Sequence, residues 1–259
     1  PMKLTSNTAL VTGASKGMGR AIALALAAEG ADVVVTARVA DELESLRAEI
    51  SAMGRRCVVA IADLAEDGAP DAIWRAATAA FDKIDILVNN AGIGSSADPR
   101  PVVDFNDDFW ALTLKVNLTV PYLFCKRALP GMLARKYGRI INIASIASKT
   151  GSYHGSAYAS SKHGLLGLTR SLALEVVKDG ITVNAICPGT VRSVMNNKRL
   201  TYDAKRLGKT FEEIEKSIVP IGRRIEPEEI AEFAVYLASP TAAATTGQAF
   251  VIDGGAMMS

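Results

Sequence analysis

The chain has 259 residues, 49% hydrophobic and 22% charged, and its 29 Lys and Arg against 27 Asp and Glu leave a net charge of +2. That composition supplies a large core without a disordered tract, and the balanced charge excludes the basic surplus a nucleic-acid backbone demands. Cys57, Cys125 and Cys187 are widely spaced with no CxxC pair, and neither a membrane-length apolar run nor a signal pattern is present, so a cytoplasmic protein without membrane contact is expected.

In chain order, short β-branched runs alternate with longer helical patterns. Strands are expected at Thr8 to Val11, Asp32 to Thr36, Cys57 to Ile61, Ile84 to Val88, Gly138 to Ala144, Ile181 to Cys187 and Ala249 to Ile252. Helical spacing runs through Met18 to Glu29, Asp41 to Met53, Ala69 to Phe81, Asp104 to Lys136, Ala157 to Lys178 and Pro227 to Ala238. Strands apolar nearly throughout belong to a parallel sheet covered on both faces, which predicts a single α/β domain over 2–259, a Rossmann-type doubly wound fold of about seven parallel strands. Arg192 to Val219 interrupts the alternation with a polar, helix-prone stretch and is expected to be a mobile substrate lid.

Directly after the first strand, Thr12-Gly13-Ala14-Ser15-Lys16-Gly17-Met18-Gly19 runs into a helix. Glycines let backbone N–H groups approach a pyrophosphate, and the helix N-terminus adds unpaired donors and the positive dipole end. Gly13, Ser15, Lys16, Gly17, Met18 and Gly19 are therefore candidate cofactor contacts. Further on, Ser145 precedes Tyr158 by thirteen residues, and Lys162 follows it by four, on the same helical face. A phenol has an ordinary pKa of about 10, and the lysine's ammonium is expected to lower it by favouring the phenolate. Ser145 would hold the substrate oxygen against the phenol.

With these landmarks, together with Asn89-Asn90-Ala91-Gly92, Asn117 and Pro188-Gly189, the chain resembles the short-chain dehydrogenase/reductase family over essentially its whole length. The resemblance implies hydride transfer between a nicotinamide dinucleotide and a carbonyl or secondary alcohol. Ser145, Tyr158 and Lys162 would act with Asn117, which links the lysine through a water to a proton relay. Lys162 would also hold the nicotinamide ribose. Asp63 and Leu64 would contact the adenine; Asn90, Ala91 and Gly92 would sit beside its ribose, with Val116 nearby. Pro188, Gly189 and Val191 would pack near the nicotinamide, and Ser193 stands where the family often has threonine. A homotetramer is implied as well.

Counting eighteen residues on from Gly19 reaches Ala37, where NAD-type members carry aspartate, and Arg38 follows it. A repelling carboxylate is absent there, so NADP(H) is the expected cofactor, read by Arg38 with Lys16 on the other side, and NAD(H) the alternative. His154 is either a substrate contact or a loop histidine, and His163 is read as structural. Two histidines without clustered carboxylates or thiols point to no metal. The basic run Lys198, Arg199, Lys205, Arg206 and Lys209 is either a solvated helix face or a docking point for an acidic carrier or coenzyme A phosphates. The C-terminal stretch from Val219-Pro220-Ile221-Gly222-Arg223 through Gly247-Gln248 resembles 3-oxoacyl-thioester and polyketide-type ketoreductases. A catabolic secondary-alcohol dehydrogenase using NAD is the alternative enzyme, and a non-catalytic dinucleotide sensor the alternative outside enzymes.

Overall fold

A computed structural model describes residues 2–258. The elements follow in order as β1 (Thr8–Thr12), α1 (Gly17–Ala28), β2 (Asp32–Ala37), α2 (Ala40–Ala52), β3 (Cys57–Ile61), α3 (Ala69–Ala80) and β4 (Ile86–Asn89). Then come α4 (Asp107–Leu114), a π-turn (Lys115–Thr119), α5 (Val120–Arg135), β5 (Gly138–Ile143), α6 (Ser156–Val176) and β6 (Ile181–Pro188). The chain closes with α7 (Val194–Leu207), α8 (Phe211–Ile218), α9 (Pro227–Ala238) and β7 (Ala249–Ile252). No helix among the described residues is long and apolar enough to cross a membrane.

All seven strands pair in parallel in the order β3-β2-β1-β4-β5-β6-β7. Alternate side chains feed opposite layers, as the period of two requires. Ala9 and Val11 of β1, Val33 and Val35 of β2, and Ile141 and Ile143 of β5 pack under α1, α2 and α9. Leu10, Val34 and Ile140 point the other way, beneath α3, α5 and α6. Both faces are covered, which is why the strands carry no polar alternation. The order reverses between β1 and β4, so their carboxyl ends part and leave a crevice.

Two boundaries differ from expectation for identifiable reasons. The fourth strand starts at Ile86 rather than Ile84, because the preceding Asp85 is committed to Thr8: its carboxylate accepts from the Thr8 N–H at 3.1 Å. The long helical run from Asp104 starts only at Asp107, where Asn106 accepts the Phe109 N–H at 2.7 Å as a cap, and it is broken in the middle by the π-turn. Pro121 lacks the N–H that would bond the Asn117 carbonyl, and its ring crowds that carbonyl, so the ladder slips and Val120 donates to Lys115 instead.

The layer under α1 and α9 has no slack. Leu26 is fully buried there, and Leu26→Ala should destabilise the protein by about 3 kcal/mol through lost transfer energy and a residual cavity. Chemical denaturation should show that drop with an unchanged dependence on denaturant.

Candidate active site

The glycine segment turns back on itself at the crevice. Gly13 has φ +65° and Gly17 φ +56°, backbone that favours glycine. A Cβ on Gly19 would lie 2.2 Å from the Gly13 carbonyl oxygen and 2.4 Å from the Asn90 amide nitrogen, and one on Gly13 would lie 2.8 Å from the Ala91 Cα. Only hydrogens fit, so the turn and the end of β4 touch. Asn90 stitches them, donating from Nδ2 to the carbonyls of Thr12 at 2.9 Å and Gly13 at 3.1 Å. Its amide N–H groups are thus committed to the turn. Thr12, absent from the expected site, completes the stitch: its hydroxyl accepts the N–H groups of Asn90 and Ala91 at 3.0 and 3.1 Å.

The start of α1 has no side-chain cap, which leaves its first N–H groups free for an anion. A Cβ on Gly17 would meet nothing nearer than Ser193 Cβ at 4.0 Å, so open space separates the glycine turn from the start of α7. Donors, space and glycine backbone fit a dinucleotide's pyrophosphate. Met18 packs on the core beneath. Ser193 caps α7, accepting the Asn196 N–H at 3.2 Å.

Around the adenosine end, Arg38 follows the last residue of β2, its side chain 74% exposed and 3.7 Å from Asp63. Asp63 also accepts the Ala65 N–H at 2.9 Å, and Leu64 is buried. Lys16 does not stand free as expected: it donates to Glu42 at 2.8 Å, and hydrogen bonds from Lys16 and Ser15 hold the Glu42 carboxyl below its ordinary range. α2 brings that carboxylate back to the turn, which spacing along the chain did not reveal. The pair is solvent-exposed and therefore weakly held.

Deeper in, β5 delivers Ser145 just past its carboxyl end, and α6 delivers Tyr158 and Lys162. The Ser145 hydroxyl caps a short turn by accepting the Ala147 N–H at 3.1 Å, and it lies near enough to the Tyr158 phenol to draw its pKa down. Lys162 donates to the Ile143 carbonyl at 2.7 Å, its nitrogen 5.8 Å from the Tyr158 ring centre. The expected lowering of the phenol is overturned here. Burial pushes the Tyr158 phenol up, with only the Ser145 bond pulling the other way, and burial brings the Lys162 ammonium down to about 8. Desolvation is the largest cause for both groups, although the Tyr158 side chain stays partly open to the cleft.

Asn117 sits on the π-turn with Val116 buried beside it. Its Oδ1 accepts the Ile93 N–H at 2.7 Å, and its Nδ2 donates to the Ile93 carbonyl at 2.9 Å and to Ser161 Oγ at 3.1 Å. Ser161 in turn donates to the Tyr158 carbonyl at 2.7 Å, so an unforeseen serine ties the π-turn to the helix of Tyr158. A Cβ on Gly92 would lie 3.2 Å from Asn117 Oδ1 and 3.7 Å from Lys162 Nζ, which places the asparagine and the lysine both close to that glycine. Pro188 ends β6, Gly189 lies against Asp253 where a Cβ would meet its backbone at 2.8 Å, and Val191 is buried beyond.

A cleft of about 320 Å³ opens over Tyr158 and Ser145, walled by the loops after β4 and β5 and by α7. His154 does not line it. Its ring stacks on Tyr153 with centres 4.1 Å apart and meets the Tyr202 hydroxyl through Nδ1 at 2.5 Å; Tyr153 takes the place on the wall. Arg199 and Asp203 also line the cleft; their four-residue step from Met195 was a legible signal, whereas nothing local marked Tyr153. Of the basic run, Arg199 and Arg206 are held by Asp203, and Lys198, Lys205 and Lys209 are exposed.

A parallel sheet with a phosphate cradle at its reversal and a serine–tyrosine–lysine group beside it defines a dinucleotide-dependent oxidoreductase. A family model described as enoyl-(acyl carrier protein) reductase matches residues 13–257, and the chain belongs to the short-chain dehydrogenase/reductase family. It is 37% identical to a D-beta-hydroxybutyrate dehydrogenase of Cupriavidus necator, covering 97% of this chain and 98% of that one. It is 40% identical to a Streptomyces violaceoruber protein provisionally assigned as a ketoacyl reductase of the granaticin polyketide synthase, covering 95% of this chain and 92% of that one. An actinorhodin polyketide ketoreductase variant solved with NADPH superimposes with a TM-score of 0.91 at 37% identity over 97% of both chains.

Gly19→Ala tests the cradle. The methyl must displace the Gly13 carbonyl or the Asn90 amide, so affinity for the nicotinamide dinucleotide should fall at least about tenfold by calorimetry.

Proposed function

We propose that this oxidoreductase passes hydride between NADP(H) and the carbonyl carbon of a 3-oxoacyl-type substrate, with Tyr158 as the proton donor. The observation that carries the proposal is the half-buried Tyr158 side chain standing beside Ser145 in the lining of the cleft. A carbonyl oxygen placed there accepts from Ser145, which fixes it against the phenol, and the Tyr158 hydroxyl hands it a proton. The bound cofactor supplies or accepts the hydride at the neighbouring carbon. Lys162 offsets the charge left on the phenolate, and Asn117, close to the lysine at Gly92, is the residue through which a proton path from the lysine would run. Similarity to ketoacyl and polyketide ketoreductases supports the 3-oxoacyl class.

A second reading, oxidation of a hydroxy acid, has one observation in its favour: a guanidinium, Arg199, lines the cleft. Exposed Tyr122, Leu133 and Leu174 on α5 and α6 support self-association through those helices, and a homotetramer is the state we propose.

Tyr158→Phe keeps the ring and removes the proton, so turnover should drop at least about a hundredfold with cofactor affinity retained. Because burial raises the phenol, its acid form persists across neutrality: carbonyl reduction should hold level there and decline in alkali, while alcohol oxidation should climb with pH. Rate profiles in both directions check the sign, and oxidation fastest below neutrality contradicts it.

NADP(H) preference rests on Ala37, which brings no carboxylate, and on the open Arg38. The parent should favour NADP(H) by at least about tenfold in kcat/KM, and Ala37→Asp with Arg38→Ala should reverse the preference by installing repulsion and deleting attraction together. A parent favouring NAD(H) removes Arg38 from phosphate recognition.

A further inference from the structure

Met195, Arg199 and Asp203 stand four residues apart on the face of α7 that lines the cleft. At about 1.5 Å of rise per residue, Arg199 lies roughly 6 Å and Asp203 roughly 12 Å along the axis from Met195. Met195 occupies the space beside Gly94, near the inner end. A chain extending outward from a carbonyl at Tyr158 therefore passes the guanidinium and then the carboxylate. Among the described residues these two are the cleft's only acidic and strongly basic side chains.

They are not free. Arg199 makes a two-pronged pair with Asp203, at 2.7 and 3.1 Å, and donates to the Tyr153 carbonyl at 3.0 Å. Each side chain is 18% exposed, so the pair is shielded enough for its charges to matter locally. Arg206 also reaches Asp203, at 3.2 Å, but its guanidinium lies 4.2 Å from the Tyr153 ring centre and it does not line the cleft. Asp203 thus answers two guanidiniums, of which Arg199 alone faces the cleft.

We propose that Asp203 determines the substrate class by neutralising Arg199, so that the cleft takes a neutral acyl chain, ester, thioester or ketone, in preference to a free carboxylate. The proposal rests on carbonyl reduction of a 3-oxoacyl group at Tyr158. A guanidinium has five N–H donors, and three are used here, leaving two for a neutral carbonyl or amide oxygen along the chain. A free carboxylate needs the planar fork that Asp203 already fills, and it meets that residue's like charge while losing its own water. Asp203→Asn releases the fork and removes the repulsion, so the same cleft then recruits a free 3-oxo acid.

The measurement is the ratio of kcat/KM for 3-oxobutanoate to that for its ethyl ester, at fixed salt and with the cofactor the parent prefers. The parent should favour the ester, and Asp203→Asn should raise the acid-to-ester ratio at least about tenfold. Arg199→Met, which leaves Asp203 without its partner in the cleft, should move the ratio the opposite way, and it decides the matter if Asp203→Asn does not fold. A ratio unchanged in the variants, or moving the same way in both, overturns the role of Asp203 while ester reduction by the parent keeps the 3-oxoacyl reading alive. A parent that reduces neither compound overturns that reading and this proposal with it.

Discussion

Contact between the glycine turn after β1 and the end of β4 sets the geometry of everything above the sheet. The strand order reverses at that point, and the crevice exists because the two halves diverge there. Hydrogens at Gly13 and Gly19 let the Asn90 amide bond the turn directly, and this close seat aims the uncapped start of α1 into the crevice. A side chain at either glycine would lift the helix from the sheet. The same register carries Ser145, beyond β5, and Pro188, at the end of β6, to the edge where the turn lies.

Dryness is the second constraint. β5 and β6 are buried at every residue and Lys162 of α6 is buried against the Ile143 carbonyl, while Tyr158 keeps one side open to the cleft. Burial works against charge on Tyr158 and on Lys162 alike, pushing the phenol up and the ammonium down to about 8. The chain offsets this with fixed dipoles: the Ile143 carbonyl accepts from Lys162, Ser145 draws the phenol's pKa down, and Asn117 holds α6 in place through Ser161. Preorganised bonds of this kind need no rearrangement as charge develops.

Outside the dry centre, α7 and α8 form a polar rim with a small core of their own around Leu200, Ala204 and Ile214. Buried Arg224 joins them to the body, donating to Asn197 at 2.6 Å and facing Glu215 and the Phe211 ring. Tyr202 meets His154 and Arg199 meets the Tyr153 carbonyl, so the hairpin touches the cleft loop through side chains more than through backbone.

What local pattern dictates was legible along the chain. Apolar runs mark buried parallel strands, the glycine spacing after β1 marks a turn seated against backbone, and the step from Tyr158 to Lys162 puts both on one helical face, because each depends only on residues a few positions apart. Other features needed the folded chain. Spacing could not show that Glu42 returns to Lys16, that Asn90 spends its amide on Gly13, or that His154 turns from the cleft to Tyr202. The break at Asn117 was half visible, since Pro121 announces a missing donor but not where the freed asparagine will point. Above all, the direction in which Tyr158 shifts was decided by burial. Charge is written in the sequence, whereas the loss of water that governs its strength is a property of packing between distant segments.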